Sequence, residues 1–196
     1  MIGGLDKYYQ IARCFRDEDL RADRQPEFTQ IDIEASFINQ EEIMKLSEKM
    51  IKDVIKEFCG EKLDKFEVID WHDAMEEYGC DKPDLRIPLK LKEISDLVMN
   101  EEFKVFSDPA KKEGSRVVAL KVPNGNTMSR GQIDDYTKFV SKLGAKGLAY
   151  IKINDVKDLE NGIQSPILKF LNKKTIQNIF KTLEVKTDDL LSLIHI

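Results

Sequence analysis

The sequence predicts an α+β fold: an antiparallel sheet in the first part of the chain, followed by a smaller unit of strands and helices. Three observations support this prediction. Two runs with alternating polar and apolar residues surround a long charged segment near the amino terminus. Amphipathic helical patterns begin after capping residues at Asn39 and Ser129. Short strand-like runs return between and after these helices, and such an order is typical of α+β proteins.

Composition sets broad limits on the protein. Its 196 residues could form one large domain or two small ones, and a charged fraction of 34% with 41% hydrophobic residues indicates a globular protein. We find neither a membrane-length apolar run nor a signal peptide, and the cysteines are few and scattered (Cys14, Cys59, Cys80), so we expect a soluble cytoplasmic protein. The net charge of −5 argues against a generally basic nucleic-acid-binding surface but leaves room for a local site.

The first predicted element is a β-hairpin with an unusually long loop. In Tyr8–Arg16 and in Phe28–Phe37, alternate residues form one mostly apolar face and one face of acids, amides and aromatic residues. The joining segment, Asp17–Glu27, is far longer than the roughly two to five residues that a hairpin needs. Long loops in compact domains are usually functional or disordered, so this loop is a candidate site.

The residues of the loop suit either an anionic ligand or a solvated surface. Its charges alternate in sign and can form ion pairs with one another (Arg16, Arg21 and Arg24 with Asp17, Glu18, Asp19 and Asp23). Arg16 and Phe28 lie on the same face at the two ends of the loop, where a guanidinium suits phosphate or carboxylate oxygens and a ring suits a purine. Alternatively, Arg16 pairs with Glu18 or Asp32 on a solvated face. The pattern alone leaves both interpretations open.

Helices and short strands are predicted for the rest of the chain. After Asn39, an apolar stripe predicts a helix that packs against the sheet and ends at Gly60. Further strands are predicted at Phe66–Asp70, Phe103–Phe106, Arg116–Val122 and 147–153, and further helices at 71–79, from Ser129 to Gly144, after Pro166 and at Ile176–Leu183. Cys59, His72 and Cys80 lack the spacing of a zinc site, and the sequence has neither a Walker-type phosphate loop nor a nucleophile elbow.

The stretch "FRDEDLRADRQPEFTQID" at Phe15–Asp32 resembles motif 2 of class II aminoacyl-tRNA synthetases, in the form found in bacterial aspartyl enzymes. The resemblance continues in "YGCDKPDLR", "GAKGLAYIKIN" and "SPILKFLN" and covers nearly the whole chain. It implies a partial class II catalytic domain with an antiparallel sheet at residues 1–86 and a small α+β insertion domain of the bacterial aspartyl type at 87–190. Residues 191–196 are expected to be a tail outside the family's pattern.

The resemblance also implies an activity and site residues. The family activates L-aspartate with ATP to aspartyl-adenylate and transfers it to the 3′ end of tRNA(Asp). Arg16 is implied as the catalytic residue that contacts ATP and L-aspartate; the other implied ATP-binding residues are Asp17, Glu18, Gln25 and Phe28, and the implied tRNA-binding residues are Arg21 and Arg24. Mg²⁺ is expected with ATP, no protein metal site is expected, and the parent protein is expected to be a homodimer.

The chain departs from the family in several respects. An anticodon-binding β-barrel, a motif 1 and a motif 3 are not found, so we expect an internal fragment that is inactive alone. Whether the parent also charges tRNA(Asn) stays open. Two alternatives are a stand-alone tRNA-binding module related to the insertion domain of tRNA-dependent amidotransferases, and a degenerate paralogue with another role. The intact motif 2 residues argue against both.

Overall fold

A computed structural model describes residues 1–196, which divide into two compact units, Met1–Val68 and Ile69–Ile196. This division falls before the domain boundary that the sequence predicts after residue 86. Because the predicted boundary concerns the family's domains and not local compactness, the assignment of 1–86 and 87–190 stays a prediction. None of the helices combines the length and the apolar content that crossing a membrane requires.

The first unit contains a hairpin and one helix. Strands β1 (Lys7–Phe15) and β2 (Glu27–Ala35) pair antiparallel, and helix α1 spans Gln40–Cys59. Asn39 and Glu42 form a capping box at the start of α1, and a left-handed Gly60 ends the helix. The predicted hairpin and helix are therefore confirmed.

Two predictions for this part of the chain are wrong. Phe66–Asp70 is not a strand: the backbone N–H of Phe66 is donated to the Glu48 carboxylate and not to a neighbouring strand. The apolar stripe of α1 is not buried against the sheet, since no residue of α1 is buried and exposures reach 82% at Phe58. A sheet of two strands is too small to cover a helix of 20 residues.

The second unit is built on a five-stranded antiparallel sheet in the spatial order β3-β4-β7-β5-β6. The strands are β3 (Leu91–Glu93), β4 (Val117–Val122), β5 (Ala149–Ile153), β6 (Ile163–Gln164) and β7 (Leu190–His195). β7 is the central strand. The last six residues, expected as a tail outside the family's pattern, therefore supply most of the strand around which this sheet is organised.

Helices cover the sheet of the second unit. They are α2 (Trp71–Tyr78), α3 (Ser95–Val98), α4 (Lys104–Lys111), α5 (Arg130–Lys142) and α6 (Lys173–Thr182), with short 3₁₀ turns at Gly125–Thr127 and Leu168–Phe170. Side chains of α3, α4 and α6 pack with alternate residues of β4, β5 and β7 in one hydrophobic core, which includes Val98, Phe106, Ile179, Ala119, Ile151 and Leu191. α5 begins at the predicted capping box of Ser129 and Gln132.

The prediction of a strand at Phe103–Phe106 is wrong, because this segment leads into helix α4. Phe106 is 2% exposed whereas its neighbour Val105 is 52% exposed. Phe103 and Ala110 also pack against the core, so the inward residues are spaced by three and four positions. This spacing is the period of a helix.

Gly162 occupies a position where the backbone leaves no room for a side chain. A Cβ atom there would lie 2.4 Å from the carbonyl oxygen of Asp155 and 2.5 Å from that of Asp158. We expect Gly162→Ala to lower the free energy of unfolding by at least about 1–3 kcal/mol, because backbone atoms must shift to make room for the Cβ atom. Urea unfolding followed by the fluorescence of Trp71, the only tryptophan, measures the effect. Gly131→Ala is the matched control, since its Cβ would meet only Ser129 Oγ at 3.9 Å; an equal loss in both variants would contradict this explanation.

Asp158, in the same loop as Gly162, should make the free energy of unfolding depend on pH. Backbone N–H groups of Asn161 and Glu160 donate to Asp158, and they hold the pKa of its carboxyl below the ordinary value of 3.8. A lowered pKa in the folded state stabilises the fold above pH 3.8, and this contribution disappears as the pH falls through the folded-state pKa. We therefore expect Asp158→Asn to reduce the loss of unfolding free energy between pH 4 and pH 2, measured by urea titration; an identical pH profile would refute the expectation.

Candidate nucleotide-binding site

The two strands of the hairpin bring Arg16 and Phe28 to the same face. Cys14 lies opposite Phe28 in the antiparallel pair, so their side chains are on the same face of the hairpin. Arg16 is two residues after Cys14 and therefore lies on this face as well. The backbone N–H of Arg16 donates to the carbonyl of Pro26 at 2.8 Å, which extends the pairing beyond the end of β1. The guanidinium carbon of Arg16 lies 5.1 Å from the centroid of the Phe28 ring. The juxtaposition expected from the alternating pattern is thus present.

Glu18 joins the two arginines of the site. Its carboxylate lies 3.5 Å from Arg16 Nη1 and 3.4 Å from Arg24 Nη1. The Arg16 and Arg24 side chains are 60% and 49% exposed, so these pairs contribute little to stability. Their consequence is geometric, because Glu18 orients both guanidinium groups toward one space. The ion pairing that the alternating charges predict therefore occurs inside the loop.

A cavity of about 420 Å³ lies over this face of the hairpin. Its lining combines two guanidinium groups, two carboxylates, an amide and an aromatic ring, and consists of Arg16, Glu18, Ala22, Asp23, Arg24, Gln25 and Phe28. Cationic forks next to an aromatic ring in one cavity are suited to a ligand with phosphate groups and a planar base. The volume is within the usual range for small-molecule sites.

The structure does not bring every predicted site residue into the cavity. Arg16, Glu18, Gln25 and Phe28 line it together, and so does Arg24, whereas Asp17 and Arg21 do not. Arg21 instead closes the loop, since its carbonyl accepts the backbone N–H of Arg24 at 3.1 Å. The roles of all these residues in binding ATP, aspartate or tRNA stay predictions.

Two residues of the lining, Ala22 and Asp23, were not among the predicted site residues. Asp23 could have been suspected, because it lies between two arginines in the alternating run of charges. Ala22 carries no chemical signal at all. The polar face continues beyond the cavity, where Gln10 Nε2 donates to Asp32 at 3.1 Å and Cys14 Sγ lies 3.7 Å from Gln30 Oε1.

The chain contains no group of three or more His, Cys, Asp or Glu side chains arranged to hold a metal ion. A magnesium ion that accompanies a nucleotide needs no such group, because phosphate oxygens, water and one or two carboxylates usually suffice. Glu18 and Asp23 are the carboxylates that line the cavity.

Comparison with known families identifies the family of the chain. The family model described as tRNA synthetases class II (D, K and N) matches residues 1–185, which include the hairpin, its loop and most of the second unit. The letters denote aspartate, lysine and asparagine, the amino acids that these ligases attach to tRNA. With nearly the whole chain matched, the protein belongs to the class II aminoacyl-tRNA synthetases of the aspartate, lysine and asparagine group.

Proposed function

We propose that the chain is part of an aspartate–tRNA ligase, which activates L-aspartate with ATP and transfers the aspartyl group to the 3′ end of tRNA(Asp). The observation that carries this proposal is the convergence of Arg16 and Phe28 on one cavity, 5.1 Å apart. The choice of aspartate within the family rests on the resemblance of Phe15–Asp32 to the aspartyl form of motif 2.

Arg16 is the proposed catalytic residue. In the first step, an oxygen of the aspartate α-carboxylate attacks the α-phosphorus of ATP; a carboxyl–phosphate bond forms, the α–β anhydride bond breaks, and pyrophosphate leaves. Negative charge grows on the α-phosphate oxygens in the transition state. A guanidinium already oriented by Glu18 can stabilise this charge without reorganisation. The same group also contacts the aspartate.

The remaining loop residues have binding roles in this proposal. The Phe28 ring stacks on the adenine, while Asp17, Glu18 and Gln25 contact other parts of ATP. Arg21 and Arg24 contact the acceptor stem of tRNA(Asp). Mg²⁺ bound with ATP would offset phosphate charge, and Glu18 and Asp23 are the cavity carboxylates that would hold it. The parent enzyme is proposed to be a homodimer.

We test this proposal with chimaeras. Residues 1–185, the matched segment, replace the corresponding segment of a bacterial aspartyl-tRNA synthetase and, as the matched control, of a lysyl-tRNA synthetase. Aspartate-dependent ATP–pyrophosphate exchange and tRNA(Asp) charging are expected only in the aspartyl chimaera. The 196-residue chain alone is expected to show no exchange, because the apolar face of its hairpin is uncovered, with 68–74% exposure at Tyr9, Ile11 and Phe15. A folded aspartyl chimaera without aspartate-dependent exchange, or a lysyl chimaera with lysine-dependent exchange, would reject aspartate as the substrate.

A further inference from the structure

Helix α5 exposes a row of apolar side chains in the second unit. Tyr136, Phe139 and Leu143, here called the α5 strip, are spaced by three and four residues, so they lie along one side of the helix and its carboxyl end. They are 54%, 60% and 75% exposed, whereas Ile133 on the adjoining side of the helix is 4% exposed. Two rings and a leucine exposed side by side are typical of a surface that packs against another molecule.

A groove of about 400 Å³ lies beside the α5 strip, between the helix and the sheet. Tyr136 and Phe139 line it on the helix side, and no charged side chain contributes to its lining. The sheet side consists of apolar residues of three strands, among them Leu91, Val118, Leu120, Leu190 and Ile194. The groove therefore suits an apolar side chain and not an ion. None of its residues lines the hairpin cavity.

The two ends of the α5 strip carry opposite charges on the same flank. Asp135 directly precedes Tyr136 and Lys142 directly precedes Leu143, so the two charged residues are seven positions and about 10 Å apart along the helix axis. Both are exposed. Asp135 pairs with Lys138 at 2.9 Å in a solvent-exposed contact, which is a weak interaction, and Lys142 forms no salt bridge. Each end of the strip therefore has a charge that can pair with another molecule.

We propose that the α5 strip binds the α5 strip of a second copy of this chain, with the two helices antiparallel. In this orientation Phe139 lies near the two-fold axis, and Asp135 of each copy faces Lys142 of the other. A parallel pair would instead bring like charges to the same level. The pattern of charges is thus complementary to itself, which is the property that a contact between identical copies requires and a contact with an unrelated protein does not.

The groove enlarges the contact beyond the two helices. In the antiparallel arrangement Leu143 of one copy comes level with Tyr136 of the other, beside the groove, which can take up its side chain. Helix α5 has only 13 residues, so the interface belongs to the small class that forms reversible complexes. The contact goes beyond the proposed function, because it uses no residue of the hairpin site, and the homodimer proposed for the parent enzyme is not assigned to any surface of this unit.

The test measures self-association of the 196-residue chain by sedimentation velocity over about a hundredfold range of concentration. The wild-type chain is expected to form a reversible dimer. Phe139→Asp is expected to weaken the dimer at least about a hundredfold, because a charge replaces a ring at the centre of the contact in both copies. Asp135→Lys and Lys142→Asp are each expected to weaken it at least about tenfold, since each variant makes both ion pairs of the dimer repulsive.

Mixing the two charge variants tests the antiparallel orientation. A mixture of Asp135→Lys and Lys142→Asp places opposite charges at both ends of the helix pair again, so we expect heterodimers with about the wild-type affinity. The double variant Asp135→Lys/Lys142→Asp should dimerise like the wild type for the same reason. Net charge alone predicts the opposite result for Asp135→Lys, because exchanging an acid for a base takes the chain from −5 to −3 and reduces repulsion between copies. Failure of both the mixture and the double variant to dimerise would overturn the proposal.

Two controls separate the α5 strip from other surfaces. Asp134→Lys makes the same change of charge in the preceding residue, on the side of α5 away from the strip, and should keep the wild-type affinity. Phe58→Asp alters an exposed ring of α1 in the first unit and should also leave the dimer unchanged. Equal losses in Asp134→Lys and Asp135→Lys, or a chain that stays monomeric throughout, would overturn the proposal. Loss only in Phe58→Asp would overturn it as well and assign self-association to the first unit. Because the chimaera experiment measures exchange with ATP and aspartate, its outcome is independent of these results.

Discussion

Replacing Arg16 by alanine is expected to weaken binding of ATP with Mg²⁺ to the chain by about ten- to hundredfold. Charge-assisted hydrogen bonds to phosphate and the contact with the Phe28 ring at 5.1 Å are both lost, and a bond to a charged group contributes about 1.5–3 kcal/mol. Isothermal titration calorimetry at fixed ionic strength measures the affinity. The affinity of Arg16→Lys for ATP should fall between the affinities of the wild-type chain and of Arg16→Ala, since an ammonium keeps the charge but lacks the planar fork.

Arg13 provides the matched control for this experiment. It lies in β1, three residues before Arg16 and on the opposite face of the hairpin, where it pairs with Glu27 at 3.2 Å; it does not line the cavity. Arg13→Ala therefore removes one arginine from the same hairpin, and we expect the affinity for ATP to change by less than about twofold, as exposed ion pairs are weak. If the two alanine variants lost affinity equally, general attraction by positive charge would replace a defined phosphate contact as the explanation.

Replacing Phe106 by alanine is expected to be the most destabilising single change in the second unit, with a loss of about 3–5 kcal/mol in the free energy of unfolding. Phe106 is 2% exposed, packs in the core and holds Phe103 by an edge contact at 5.0 Å. Its removal leaves a cavity that surrounding side chains fill only in part. Urea unfolding followed by Trp71 fluorescence reports on this unit, because Trp71 is the only tryptophan.

Val105 is the internal comparison for Phe106. The two residues are neighbours in α4, but Val105 is 52% exposed. Val105→Ala should change the unfolding free energy by no more than about 0.5 kcal/mol, as is usual for surface substitutions. A large loss in both variants would mean that α4 is sensitive as a helix, and a small loss in both would mean that the core tolerates the missing ring.

The elements that the sequence predicts well have strong local signals. The alternation in β1 and β2 fixes which residues share a face, and the capping boxes at Asn39 and Ser129 fix where α1 and α5 begin. Local sequence signals do not predict the structure of a segment correctly where tertiary contacts determine it. The pattern at Phe103–Phe106 predicts a strand where α4 begins, because a short run of aromatic and β-branched residues suits either structure. The apolar stripe of helix α1 predicts that this face of the helix is buried. The stripe alone does not specify which surface would pack against it.

In the candidate site, too, some features follow from local sequence signals and others depend on the folded structure. The shared face of Arg16 and Phe28 follows from strand geometry, and alternating charges predict the ion pairs of Glu18. The path of the loop between the strands has no periodicity, so the inclusion of Ala22 and Asp23 in the cavity lining was unpredictable. A groove of about 640 Å³ in the second unit is lined by residues of α4, of the segment before β5, of Pro166–Ile167 and of β7. Only the folded sheet brings these distant segments together.

The most direct test of the nucleotide site on the hairpin is to determine which side chains contact the adenine of bound ATP. NMR of the chain with isotope-labelled phenylalanine, saturated with ATP, detects nuclear Overhauser effects between adenine protons and individual rings. We predict contacts to the ring of Phe28 that disappear in Phe28→Leu, together with shifts of the Arg16 side-chain signals. Bound ATP without contacts to Phe28, or with contacts to rings of the second unit instead, would contradict a nucleotide site on the hairpin.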